Sequence, residues 1–124
     1  MIDLDRETLV KMIDHTELSA HSGEKKIANL CSEARTFGFY TVCINGGYTR
    51  LAREKLEGSG VLVCTVVGFP LGAGTSTAKA FEAREAVASG AAEIDMVVNV
   101  GALRDRKLDF VRDDIRAVVD ASGP

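Results

Sequence analysis

The sequence predicts an α/β chain that builds half of a (β/α)8 barrel, one wall of about four parallel strands backed by helices, and three observations predict it. Short β-branched runs alternate with stretches of helical spacing over 124 residues, the pattern of consecutive βα units and a parallel sheet. Two helix ends look like copies, "EARTFG" (33–38) and "EAVASG" (85–90), each followed shortly by a strand. The strands also place polar groups on one face only, whereas a sheet covered by helices on both sides would carry Val and Ile on both. A barrel interior with a polar mouth fits that asymmetry. A complete barrel takes about 250 residues, so four units make half of one.

The first strand is "KMIDHT" (11–16), with Asp14 and Thr16 on one face and Ile13 on the other. Ser22 is the candidate N-cap of the helix that follows, whose stripe is Ile27, Leu30, Cys31, Ala34 and Phe37. Gly38 closes it in the left-handed conformation, as Gly90 closes the third helix. The second strand, "YTVCIN" (40–45), sets Thr41, Cys43 and Asn45 opposite Val42 and Ile44, and a helix is placed at about 48–57.

The third strand is "VLVCTVV" (61–67). The glycine-rich "GFPLGAGTSTAK" (68–79) then leads into a helix capped by Thr75, Ser76 or Thr77. It resembles a phosphate loop but has neither the Walker nor the GxGxxG spacing, so it reads as a strand-to-helix loop at the barrel mouth.

In the fourth strand, "EIDMVVNV" (93–100), Glu93, Asp95, Val97 and Asn99 share a face against Ile94, Met96, Val98 and Val100. Asp95 thus interrupts a run that otherwise reads as buried, either as a structural carboxylate with a local partner or as a functional acid. A last helix carries Leu108, Val111, Ile115 and Val118, and the chain stops at "ASGP" (121–124), where a fifth strand would begin.

Composition bounds the function. With 46% hydrophobic and 27% charged residues, the chain suits one domain, 1–124. Net charge is −3 with scattered Lys and Arg, which predicts no nucleic-acid partner. No apolar run approaches the roughly 20 residues of a membrane span, so no membrane partner is expected. Three cysteines, Cys31, Cys43 and Cys64, lie in apolar stretches without a CxxC, favouring reduced thiols and a cytoplasmic location. Cys43 and Cys64 read as small core or lumen residues. Asp14 and His15 invite a metal reading, but His21 is the only other histidine, so no metal is expected. His15 is placed on the helix-facing side.

"MIDHT" (12–16), "VCIN" (42–45), "VCTVVGFPLGA" (63–73), "KAFEA" (79–83) and "GAAEIDMVVNVGAL" (90–103) resemble deoxyribose-phosphate aldolase, the DeoC family, in order from about residue 10 to 115. The resemblance implies a (β/α)8 class I aldolase that joins acetaldehyde and glyceraldehyde 3-phosphate reversibly into 2-deoxyribose 5-phosphate, through a lysine Schiff base and without cofactor or metal. It implies that Asp95 is the catalytic proton relay and that Asp14, at the mouth of the first strand, is a further catalytic residue. Thr16, Cys43 and Asn99 become substrate-lining residues. The Schiff-base lysine and the phosphate-gripping loops belong to later strands, beyond these 124 residues.

No local lysine is expected to substitute for it. Lys25, Lys26, Lys55, Lys79 and Lys107 fall on helices or their starts and are expected to be solvated, and Lys11 sits at the wrong end of its strand. The chain departs from the family at Glu17 and Ser19, where Leu and Lys are usual, and at Gly46, where proline is usual.

The expectation is therefore an aldolase half-barrel, a lyase by descent and inactive alone. Its partner is a second copy, pairing strand four with strand one to close eight strands, or a missing C-terminal half. A phosphosugar would be its substrate once completed. Two alternatives are a non-catalytic self-assembling half-barrel scaffold and a small phosphosugar-binding barrel of another kind.

Overall fold

A computed structural model describes residues 5–123; Pro124, part of the chain-stop reading, lies outside the described residues. A short helix α1 (Arg6–Val10) leads into β1 (Asp14–Glu17), α2 (Glu24–Phe37) and β2 (Thr41–Ile44). A 3-10 turn (Gly46–Tyr48) runs into α3 (Thr49–Lys55), followed by β3 (Leu62–Val67) and α4 (Ser76–Ala88). The chain closes with β4 (Glu93–Met96), α5 (Val100–Arg104) and α6 (Leu108–Ser122). The four strands pair in parallel in the order β1-β2-β3-β4, so β1 and β4 are the two edges.

Register fixes the two faces. Thr16, Cys43, Cys64 and Glu93 are successive partners across the sheet, Asp14 and Thr41 lie two residues earlier, and Val66 with Asp95 lie two residues later. With the period-2 alternation of a strand, these residues share the inner face. The opposite face carries Val42, Ile44, Val63, Val67, Ile94 and Met96 and is covered by helices.

Two clusters make the core on that side. Ile27, Leu30, Cys31 and Ala34 of α2 and Ala52 of α3 pack on Val42, Ile44 and Val63. Val67 packs with Ala83 of α4 and Val118 of α6, with Ile94 and Met96 against them. His15 faces the helices as expected, 5.0 Å from the Phe39 ring and 2.7 Å from the Glu33 carboxylate of α2.

The repeated helix ends are one structural device used twice. Gly38 (φ +73°) and Gly90 (φ +103°) have the positive φ that disfavours a side chain. The next amide bonds back five residues in each case, Phe39 to the Ala34 carbonyl and Ala91 to the Ala86 carbonyl. Thr75 is the cap of α4, accepting from the Ala78 amide at 3.2 Å.

The expected cap at Ser22 is not formed. Gly23 holds that position without a side-chain bond, and the buried Ser22 hydroxyl has no partner among the described residues. Strand one begins at Asp14 rather than residue 11, because Lys11 and Met12 form the turn after α1. Strand four ends at Met96 rather than residue 100, because the Asn99 side chain accepts from the Ala102 amide at 3.0 Å and starts α5. On α6 the expected stripe is only half covered: Val111 and Val118 are buried, whereas Leu108 and Ile115 are exposed.

Candidate active site

Among the described residues no helix covers the inner face, and its residues differ by strand. On the middle strands, Thr41, Cys43 and Cys64 are buried by their neighbours. On the edge strands, Asp14, Thr16 and Asp95 are exposed. The expectation that Asp95 is buried is therefore not met. It points to the predicted face, but that face is open because four strands form only one wall.

The two acids meet at the thiols. Cys43 and Cys64 act first on each other, which holds the Cys43 thiol below its ordinary value and pushes Cys64 up, and the carboxylates of Asp95 and Asp14 add a smaller opposition to ionising either sulfur. The carboxylates of strands one and four thus share one field across the wall. Asp14 is held by its neighbour: its carboxylate accepts from the Thr41 hydroxyl at 2.8 Å. It is the opening residue of β1, paired with Thr41, so it lies at the amino end of that strand and not at its mouth. Thr16 stands one inner-face position further along, its hydroxyl donating to the Asp14 backbone carbonyl at 2.7 Å.

Asn99 does not join these residues. Expected on the same strand face as Asp95, it sits past the end of β4 with its side-chain carbonyl committed to the Ala102 amide. Among the described residues, no cluster of three or more His, Cys, Asp or Glu side chains is placed to hold a metal ion, and no helix is long and apolar enough to cross a membrane.

The departures after β1 organise the loop at its carboxyl end. Glu17 faces the helices, its carboxylate 2.6 Å from Lys26 of α2 and accepting from the Ser19 amide at 2.9 Å. Lys26 first, then Ser19, holds the Glu17 carboxyl well below the ordinary carboxylate range.

One lysine departs from expectation. Lys79 is 1% exposed instead of solvated, its Nζ 2.7 Å from the Asp114 carboxylate of α6 and 3.1 Å from the Val97 carbonyl. The Ser76 hydroxyl donates to the other Asp114 oxygen at 2.7 Å. A burial signal was present in the sequence: Lys79 lies four and seven residues before Ala83 and Ala86, on the stripe that α4 buries. Asp114 sits likewise between Val111 and Val118 on α6. Lys25, Lys26, Lys55 and Lys107 are exposed, as expected, and Lys11, in the turn before β1, is exposed as well.

Comparison with known proteins decides the lineage. The sequence model of the DeoC/LacD family aldolases matches residues 8–122. The chain belongs to this aldolase family. A deoxyribose-phosphate aldolase of Streptococcus pneumoniae is 58% identical over 115 residues, 93% of this chain and 52% of the relative. That of Macrococcus caseolyticus is 53% identical over the same share. A solved Coccidioides immitis structure assigned to deoxyribose-phosphate aldolase superposes with a TM-score of 0.92 at 38% identity, over 96% of this chain and 47% of that one. The Aeropyrum pernix enzyme, described as a unique tetramer, superposes with a TM-score of 0.80 at 29% identity, over 95% of this chain and 50% of its own.

The chain spans about half the length of the curated relatives it matches. The four-stranded wall is therefore half of the (β/α)8 barrel of its DeoC neighbours.

Proposed function

We propose that these 124 residues, as a single half-barrel domain, supply the amino-terminal side of a deoxyribose-phosphate aldolase site. The reaction is the reversible cleavage of 2-deoxyribose 5-phosphate to acetaldehyde and glyceraldehyde 3-phosphate through a lysine Schiff base. The observation that supports this reading most is the pair of carboxylates, Asp14 and Asp95, exposed on the same uncovered face of a parallel sheet.

In this reading Asp95 moves the proton that lets a carbinolamine lose water and an enamine form, a general acid–base role suited to a carboxylate open to substrate. Asp14, oriented by Thr41, adds a second negative charge to the same face. Thr16 and Cys43 line the bound sugar, and Asn99 meets it only from the rim. The nucleophile comes from elsewhere. Five of the lysines are exposed on helices or turns, and Lys79 is engaged by Asp114, whereas a Schiff-base lysine must be partly deprotonated and open to a carbonyl. A complementary half, on a second polypeptide or in further sequence, would bring that lysine and the phosphate contacts.

A second reading is a non-catalytic, self-assembling half-barrel. It is favoured by two sheet edges that have no partner among the described residues and by the exposed apolar side chains Leu108, Ile115 and Val119 on α6. Two copies pairing β4 with β1 would close eight strands. For either reading the free thiols favour a reducing compartment, the cytoplasm.

Borohydride trapping with acetaldehyde tests the assignment of roles. The chain alone keeps its mass, and a mixture with a relative's C-terminal half gains the adduct on that half. An adduct on this chain would mean that one of its own lysines is the nucleophile.

A further inference from the structure

Beside the carboxylates, the inner face holds a pair of thiols to which the aldolase reading gives no chemical step, only a place for Cys43 along the bound sugar. Cys43 of β2 and Cys64 of β3 are direct register partners, so their side chains leave adjacent strands on the same face. Neighbouring strands lie about 4.8 Å apart, inside the roughly 4.4–6.8 Å Cα separation that a disulfide spans. Both thiols are free.

The two sulfurs are unequal. Their proximity sets the two apart, with the Cys43 pKa held down and that of Cys64 pushed up, so Cys43 is the readier thiolate. Thr16 and Glu93 are the register neighbours of the pair and the exposed carboxylates Asp14 and Asp95 lie diagonally from it, so the surrounding charge is negative, which favours a cationic reagent over an anionic one. All three thiols are buried, at 1%, 4% and 3% exposure for Cys31, Cys43 and Cys64, so Cys31 is an internal reference by its face alone: it packs in the helix-side core, whereas the pair lies on the open inner face.

We propose that Cys43 and Cys64 form a dithiol site that takes a small cationic disulfide and closes into a bond joining β2 to β3. The Cys43 thiolate attacks one sulfur of the reagent, forming a mixed disulfide and expelling one thiolate. The Cys64 thiol gives its proton to that thiolate and attacks the Cys43 sulfur, and the second half of the reagent leaves as a thiolate that takes the proton Cys43 had lost. Two protein thiols are oxidised by two electrons, and one disulfide reagent is reduced to two thiols. Parallel strands aim both Cβ atoms the same way and not toward each other, so the bond is strained and easily reduced.

The test treats the intact folded chain with cystamine at neutral pH and reads whole-chain mass and peptide maps. The expected product is lighter by two hydrogens, links the peptides containing Cys43 and Cys64, leaves Cys31 free and reverts with dithiothreitol. Cys64→Ala is expected to stop at a cysteamine adduct on Cys43, and Cys31→Ala to close as the parent does. Three free thiols after treatment, an adduct persisting on Cys43 while Cys64 is present, or a link through Cys31 or between chains would each overturn the proposal. The parent's peptide map decides this whether or not the Cys64→Ala chain folds.

Discussion

Lys79 and Asp114 form a fully enclosed ion pair between α4 and α6, 1% and 0% exposed at their side chains. A buried charge is tolerated only with its partner and its hydrogen bonds, which here include the Val97 carbonyl and the Ser76 hydroxyl. Asp114→Ala should therefore cost about 3–5 kcal/mol of stability, read as a fall in the urea midpoint, and Lys79→Met with Asp114→Leu should recover most of it. Glu17 has a smaller effect with a definite sign. Because its folded pKa is depressed by Lys26 and Ser19, its contribution is complete above the ordinary value of 4.5 and is lost as pH falls below it. The gap in urea midpoint between the parent and Glu17→Gln should narrow steadily on acidification. The sequence assigned Asp14, Thr16, Cys43 and Asp95 to one face because strand alternation alone assigns faces, but it set Asp14 at the wrong end of its strand and Asp95 out of solvent. It did not yield the Lys79 pair, because helical charges default to solvent and the exception depends on which helix packs opposite.

Among the elements, those set by local chemistry were the legible ones. Gly38 and Gly90 close their helices as the repeated Glu-Ala-x-x-x-Gly implied, and Thr75 caps α4. Failures came where two local signals competed. Val97 to Val100 have strand propensity, but Asn99 captures the Ala102 amide and turns the chain into α5. Ser22 has the right chemistry for a cap yet lies one residue before the capping position, which Gly23 occupies. The loop between β3 and α4 owes its shape to close approach: Gly72 has φ +65°, and a Cβ there would stand 2.2 Å from the Val98 carbonyl oxygen. Gly72→Ala should destabilise by at least about 1–3 kcal/mol, measured by thermal unfolding, and the strain should disturb the backbone just past β4, two residues beyond Asp95 at its nearest.

For the molecule as a whole, alternation of βα units gave the parallel order and the one-sided polarity gave the barrel wall. What sequence could not convey is how open that wall is: a carboxylate read as buried is exposed because burial of an inner-face residue depends on strands this chain does not contain. The edges β1 and β4 and the uncovered part of α6 make a lone, unassociated state costly. Light scattering should return a mass above that of one chain. The central claim, that Asp95 is an aldolase acid awaiting the other wall, is tested most directly by turnover of 2-deoxyribose 5-phosphate after mixing with the C-terminal half of the Streptococcus pneumoniae relative. The account predicts cleavage by the mixture, none by either half, and at least about a hundredfold loss with Asp95→Asn. A reconstituted complex that cleaves equally well with Asp95→Asn would contradict it.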